Sequence, residues 1–209
     1  MSTQQHSKVS IIGAGAVGAS AAYAMLIRQS ARELVLFDIN EAKVTAEVLD
    51  LAHGTQFTGS STISGGTDIE LTAGSDLIVI TAGAKQNPGQ TRLELAGVNY
   101  QIMAGMLPQL LKHSPDAIIL LVTNPCDVLA TAAIRATGLP ANRIFSSGTV
   151  LDSSRLRWLL GERLGVNTAS IHASIIGEHG DSEFVLWSQA SIGPVPVEQW
   201  RGPNGESLS

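Results

Sequence analysis

One feature narrows the fold more than any other. A strand-sized apolar segment, Lys8–Ile12, runs straight into Gly13-Ala14-Gly15-Ala16-Val17-Gly18, and a helical stretch rich in alanine, Ala16–Gln29, follows at once. Gly13 permits a tight turn, Gly15 lets the backbone approach a pyrophosphate, and Gly18 lets the helix pack close to the sheet. The helix N-terminus then offers N–H groups and a partial positive charge to phosphates. Glycine-rich turns are common, so the strand before and the helix after are what make this one a dinucleotide fingerprint.

The chain keeps alternating. Leu34–Phe37 is a short apolar run and Glu41–Ala52 a second helix. Leu77–Thr81 is a third buried run. Arg92–His113 is long and periodic, and Pro108 is expected to kink it. Ala117–Val122 reads as a strand and Cys126–Thr137 as a helix stopping at Gly138. This alternation predicts a parallel sheet with helices on both faces. Only 4% of residues are aromatic against 44% hydrophobic, so the core is expected to be aliphatic, as parallel sheets are.

After about Phe145 the texture changes. Asp152–Leu164 reads as a helix with Asp152 or Ser153 as its cap. Ile171–Ile175 and Glu183–Ala190 look like strands without crossover helices. A second domain is therefore expected, giving boundaries of 1–146 and 147–209. Gly202–Ser209 reads as loop.

Charge and composition exclude several roles. The net charge is -5, from 13 basic and 18 acidic residues, with no Lys/Arg cluster, which argues against nucleic acid as a partner. No apolar run is long enough to cross a membrane, and Met1 to Lys8 lack the apolar core of a secretory signal. Cys126 is the single cysteine, so no intrachain disulfide is expected. A soluble, cytoplasmic protein is expected, with no metal.

Asp38 ends the second strand, about twenty residues beyond the fingerprint, where a carboxylate bonds ribose hydroxyls and repels a 2′-phosphate. NAD is thus expected rather than NADP. Thr81-Ala82-Gly83-Ala84 and Val122-Thr123-Asn124 end later strands, at the sheet edge where ligands of such folds bind.

Four further segments carry candidate chemistry: Gln86-Asn87-Pro88-Gly89-Gln90-Thr91-Arg92, Thr123-Asn124-Pro125, Leu151-Asp152-Ser153-Ser154-Arg155, and Gly177-Glu178-His179-Gly180-Asp181-Ser182. A 2-keto acid accepting hydride needs a guanidinium for its carboxylate, which Arg155 can supply. It needs a proton donor with near-neutral titration, and His179 is the candidate. Asp152 is the candidate acid to fix the imidazole tautomer. Arg92, on a Pro/Gly loop, can stabilise charge on the carbonyl oxygen. Each also has a plainer reading: His179 as a surface histidine, Asp152 as a helix cap, Arg155 and Arg92 as solvated charges. Spacing does not show that they meet.

Taken together, these segments resemble the L-lactate/malate dehydrogenase family over nearly the whole chain. The resemblance implies an α/β fold: a Rossmann doubly wound parallel sheet followed by the start of an α+β substrate domain. It implies His179 as proton donor and acceptor, Asp152 as its partner, Arg155 on the substrate carboxylate, Arg92 as loop arginine, and Asn124 against substrate. It adds Val17, Lys43, Val122, Thr123, Gly83, Ala84 and Ser147 to the cofactor site. Gly105 and the Ile69 region lack polar or aromatic groups and are left out.

Malate dehydrogenases usually carry arginine at the position of Gln86, to pair with a second carboxylate. A neutral glutamine leaves that charge unpaired and favours pyruvate. The resemblance thus implies reversible reduction of pyruvate to L-lactate by NADH, the last step of anaerobic glycolysis. Malate, bulkier 2-hydroxy acids, or an inactive NAD-binding fragment are the alternatives. In many bacterial members Arg157 and His172 mark a fructose 1,6-bisphosphate site at a subunit interface; a solvated arginine and a strand histidine are the plain readings. A homotetramer is implied. The family's chains continue well beyond residue 209, so this chain is expected to be incomplete.

Overall fold

In the computed structural model, residues 7–85, 88–89, 91–202, 205 and 207–208 are described, apart from the side chain of Arg92. The chain divides into two compact units, one ending at Ser146 and one starting at Ser147.

The first unit begins with β1 (Lys8–Ile12), α1 (Ala16–Arg28), β2 (Glu33–Phe37) and α2 (Glu41–His53). It continues through β3 (Thr62–Gly66), β4 (Leu77–Ile80), α3 (Arg92–His113), β5 (Ile118–Leu121), α4 (Cys126–Thr137) and β6 (Ile144–Ser146). The strands form one parallel sheet ordered β3-β2-β1-β4-β5-β6. The order reverses between β1 and β4, which opens a crevice at their carboxyl ends.

The two-residue period of the strands divides their apolar side chains between two cores. Val9 and Ile11, Leu34 and Leu36, and Val79 point to one face, where Ala22 and Leu26 of α1 and Val44 and Leu51 of α2 meet them. Ile12, Phe37, Ile78, Ile80, Ile119 and Leu121 point to the other, against Met103, Leu107 and Leu110 of α3 and Leu129 and Ala133 of α4. Each fully buried Leu or Ile here contributes about 1.5–3 kcal/mol. Ser10 in the middle of β1, and Thr72, Ser75 and Ser114 ahead of β4 and β5, are buried too, and they bond to one another: Ser10 Oγ to Ser75 Oγ is 2.7 Å, and Ser114 Oγ donates to Thr72 O at 2.6 Å.

The sequence pattern misses β3 and β6. β3 reads Thr-Ile-Ser-Gly-Gly, an edge strand whose residues are half-buried or exposed, and β6 has three residues. Neither carries enough apolar length to stand out. Pro108 lies inside α3, whose span continues to His113.

The second unit starts with α5 (Val150–Leu164), followed by β7 (Ile171–His172), β8 (Ile175–Ile176), β9 (Phe184–Val185), β10 (Ser191–Ile192) and β11 (Val195–Pro196). Its core gathers Leu160, Leu164, Ile171, Ala173, Ala190, Ile192 and Val197. Two expectations are corrected here. The helix starts before Asp152: Thr149 is the N-cap residue, without a side-chain cap bond, and Asp152 sits in the first turn. Its carboxylate bonds His179 and Arg155 instead. The two expected strands are also broken. Ile171–Ile175 changes partner midway, because β7 pairs with β10 and β8 with β9. Glu183–Ala190 yields only β9 before a 3-10 turn at Trp187–Gln189. No helix among the described residues is long and apolar enough to cross a membrane.

Candidate functional site

The crevice of the first unit is a cleft of about 1130 Å³, lined by the glycine turn, Asp38, Lys43, Gly83, Ala84 and Val122–Asn124, among others. Val17, half exposed in the first turn of α1, lines it as well. Gly13 has φ +107, and a Cβ there would sit 2.7 Å from Ala82 N. A Cβ on Gly18 would lie 1.9 Å from Gly13 O, so α1 reaches the sheet this closely only without a side chain. At Gly15 the added Cβ would meet nothing nearer than Lys43 Nζ at 3.7 Å, so the face turned to the cleft is open. A turn braced on one side and bare on the other, at a helix N-terminus, suits a pyrophosphate.

Asp38 accepts from Ala14 N at 2.8 Å through one oxygen and from Asn40 N at 3.0 Å through the other. Lys43 Nζ stands 3.9 Å away. A carboxylate has about four lone-pair directions, so these bonds leave room for ribose hydroxyls. The residues present therefore fit a dinucleotide with a free 2′-hydroxyl.

Three residues that sequence reasoning passed over shape this cleft. Asn99, buried in α3, bonds through its amide to Ala84 N at 2.7 Å and to Asn124 O at 2.7 Å. One side chain thereby ties the end of β4 to the end of β5. It lies on the buried stripe of α3 that also holds Leu95, Met103, Leu107 and Leu110; a polar residue at i, i+4 spacing on such a stripe was the available signal. Ile69 and Gly105, left out for want of polar groups, both line the cleft. Apolar wall area is part of what such sites require. Gln86 and the side chain of Arg92 lie outside the described residues.

The second unit brings together His179, Asp152 and Arg155. Asp152 is 3% exposed and uses both oxygens. Oδ2 is 2.5 Å from His179 Nδ1, and Oδ1 accepts from Arg155 Nη1 at 3.0 Å. The buried charge also benefits from its place in the first turn of α5, where the helix dipole is positive. The plain reading of Asp152 as a cap is thus excluded. The turn bearing His179 is anchored upstream. Ile175 N donates to Ser153 Oγ at 2.9 Å, and Thr149 Oγ1 donates to Ile175 O at 2.6 Å. These bonds fix β8 to the start of α5. The β8–β9 pairing of Ile175 with Val185 and Ile176 with Phe184 then closes the loop that holds His179.

Arg157 and His172 also belong to this unit. Arg157 is half-buried and its Nε donates to Ala173 O at 2.8 Å; His172 is exposed on β7. Ser147 is the unit's first residue.

Chemically, the first unit can hold a dinucleotide. The second presents an imidazole whose Nδ1 is held by a buried carboxylate, beside a guanidinium with donors to spare. Known proteins fit both halves. Residues 7–146 match the model of the lactate/malate dehydrogenase NAD binding domain, and residues 149–206 match the model of the alpha/beta C-terminal domain of the same family. The chain is 50% identical over 202 residues to an L-lactate dehydrogenase of Bifidobacterium animalis subsp. lactis, covering 96% of this chain and 63% of that protein. It is 46% identical over 193 residues to an L-lactate dehydrogenase of Petromyzon marinus, covering 92% and 58%. Among solved structures, the minor L-lactate dehydrogenase of Enterococcus mundtii superposes with a TM-score of 0.89 at 36% identity, covering 97% of this chain and 65% of that one. The chain thus spans about three fifths of the length of the curated relatives it matches. With both domain models matched in chain order, this chain belongs to the lactate/malate dehydrogenase family, and its first unit is an NAD binding domain.

Proposed function

We propose that the protein is an NAD-dependent L-lactate dehydrogenase that interconverts pyruvate and L-lactate, closing anaerobic glycolysis in the cytoplasm. The observation that carries this reading is the buried Asp152 bonded at once to His179 Nδ1 and Arg155. The glycine turn and Asp38 would hold NADH, which would supply the hydride.

The chain's own groups do the rest. With Nδ1 held by the carboxylate, Nε2 is the nitrogen assigned to deliver a proton to the keto oxygen as reduction proceeds, and to take it back from lactate in reverse. Asp152 keeps the tautomer fixed and stabilises the imidazolium. Arg155 has one terminal nitrogen committed to Asp152 and directs its other donors to the substrate carboxylate. Arg92 stabilises charge on the keto oxygen, and Asn124 orients it. Gly13, Gly15, Val17, Gly18, Asp38, Lys43, Gly83, Ala84, Val122, Thr123 and Ser147 serve the cofactor, and Asp38 selects NAD. The domain boundary assigned to this function lies at 146/147.

Gln86 makes pyruvate the preferred substrate. The test is NADH oxidation by the full-length gene product with pyruvate and with oxaloacetate. A higher kcat/KM for pyruvate is expected, and Gln86→Arg should move preference toward oxaloacetate; the opposite order in the unmodified enzyme refutes the lactate assignment. Arg157 and His172 are assigned to fructose 1,6-bisphosphate in a homotetramer. The sugar bisphosphate should then lower the pyruvate KM or promote assembly.

A further inference from the structure

We propose that Glu183 is a positioning residue for proton transfer, a second carboxylate that holds the charged form of His179 alongside Asp152. This rests on the reading of His179 as the proton donor and deepens it. Glu183 Oε2 lies 3.7 Å from His179 Nδ1. That is too long for a hydrogen bond and well within Coulomb range. The same oxygen is buried and has no hydrogen-bond partner among the described residues.

A buried carboxylate oxygen without a donor is costly. The group that can offset that cost is the imidazole when it is protonated, and His179 is Glu183's one ion-pair partner among the described residues. Asp152, His179 and Glu183 place donor atoms within 4.8 Å of one another, so the carboxylates repel unless positive charge stands between them. A proton on His179 supplies it.

The two acids are not equivalent. Asp152 is balanced by Arg155 on its other oxygen, whereas Glu183 has no such second cation among the described residues. The other charged groups on this turn are Glu178, which is exposed and accepts from Ser182 Oγ at 3.3 Å, and Asp181, also exposed. Glu183 is held in place by the fold: the next residue, Phe184, starts β9 and pairs with Ile176. When His179 Nε2 passes its proton to the substrate oxygen, the imidazole becomes neutral and the attraction to Glu183 is lost. Glu183 therefore favours the proton-loaded form that receives a keto acid.

The experiment uses Glu183→Gln in the full-length gene product, which keeps shape and removes charge. The His179 ring is followed by nitrogen NMR against pH, its signal assigned by loss in His179→Asn. Its titration midpoint is expected to fall, because a negative charge next to the ring has been removed. The pH profile of the pyruvate KM should move with it, and NADH affinity should not change. Glu183→Asp, which keeps the charge but draws it back, should give a smaller shift in the same direction and carries the test if the glutamine variant does not fold. An unmoved or raised midpoint overturns the proposal, as does lost activity with an unmoved midpoint, which would make Glu183 a packing residue. If the unmodified enzyme does not reduce pyruvate, the lactate reading fails while the midpoint still decides the role of Glu183.

Discussion

Replacing Asp152 with Asn keeps the side chain's size and changes only what it offers His179. The Asn oxygen can still accept from Arg155 Nη1, as Oδ1 does at 3.0 Å. The amide NH2 then faces Nδ1, and since it is a donor, Nδ1 must become an unprotonated acceptor. The imidazole can no longer carry both protons without losing this contact and its counter-charge. At the 2.5 Å separation observed, that counter-charge is worth about 7 kcal/mol at an effective dielectric near 20. His179 is partly exposed, 29% of its side chain, so water takes over some of the loss and about 3–5 kcal/mol remains. The expected result is a fall of about 10²–10⁴-fold in kcat/KM for pyruvate. The assay is NADH oxidation by the full-length gene product, beside NADH binding followed by its fluorescence. Binding should persist, because the cleft residues of the first unit are untouched. A loss under about fivefold, or an equal loss of NADH affinity, would refute the reasoning.

Two further outcomes follow from the first unit. Asn99→Leu orphans Ala84 N and Asn124 O at the cleft, so it should cost about 2–4 kcal/mol by chemical denaturation and weaken NADH binding; a change under about 1 kcal/mol contradicts the crossbar role. Glu94 accepts from Thr91 N at 2.8 Å and from Thr91 Oγ1 at 2.9 Å, and these bonds, the backbone one first, hold its carboxyl below the usual 4.5. Its support for the start of α3 is therefore complete above the ordinary glutamate range and lost as pH falls through the lowered folded-state value. Amide exchange in the first turn of α3 should accelerate over that acid range in the native protein and show no such step in Glu94→Gln.

How far the sequence could be read depended on whether a signal was local. The glycine turn was legible because its three glycines and the strand and helix around them are contiguous in sequence, even though Gly13 is pressed by Thr81 and Ala82 and Gly18 by Gly13 O and Thr81. The second unit was harder. Its strands are two residues long and swap partners, so no alternation had room to develop. The start of α5 was misplaced because Asp152 has the composition of a cap while its carboxylate is used 27 residues away, at His179. Glu183 acts through a single buried oxygen and leaves no periodic trace, whereas Asn99 bonds across gaps of the chain and shows in the sequence only as a polar residue on the apolar stripe of α3.

Asp38 has a double duty that constrains how cofactor choice could ever change. The oxygen expected to meet ribose is on the same carboxylate that accepts from Ala14 N inside the glycine turn and from Asn40 N at the head of α2. Trading it for a neutral residue to admit a 2′-phosphate would also unfasten the loop that receives the pyrophosphate. A lineage moving toward NADP would need a replacement acceptor for Ala14 N first, so preference and scaffold at this spot would have to evolve as a pair.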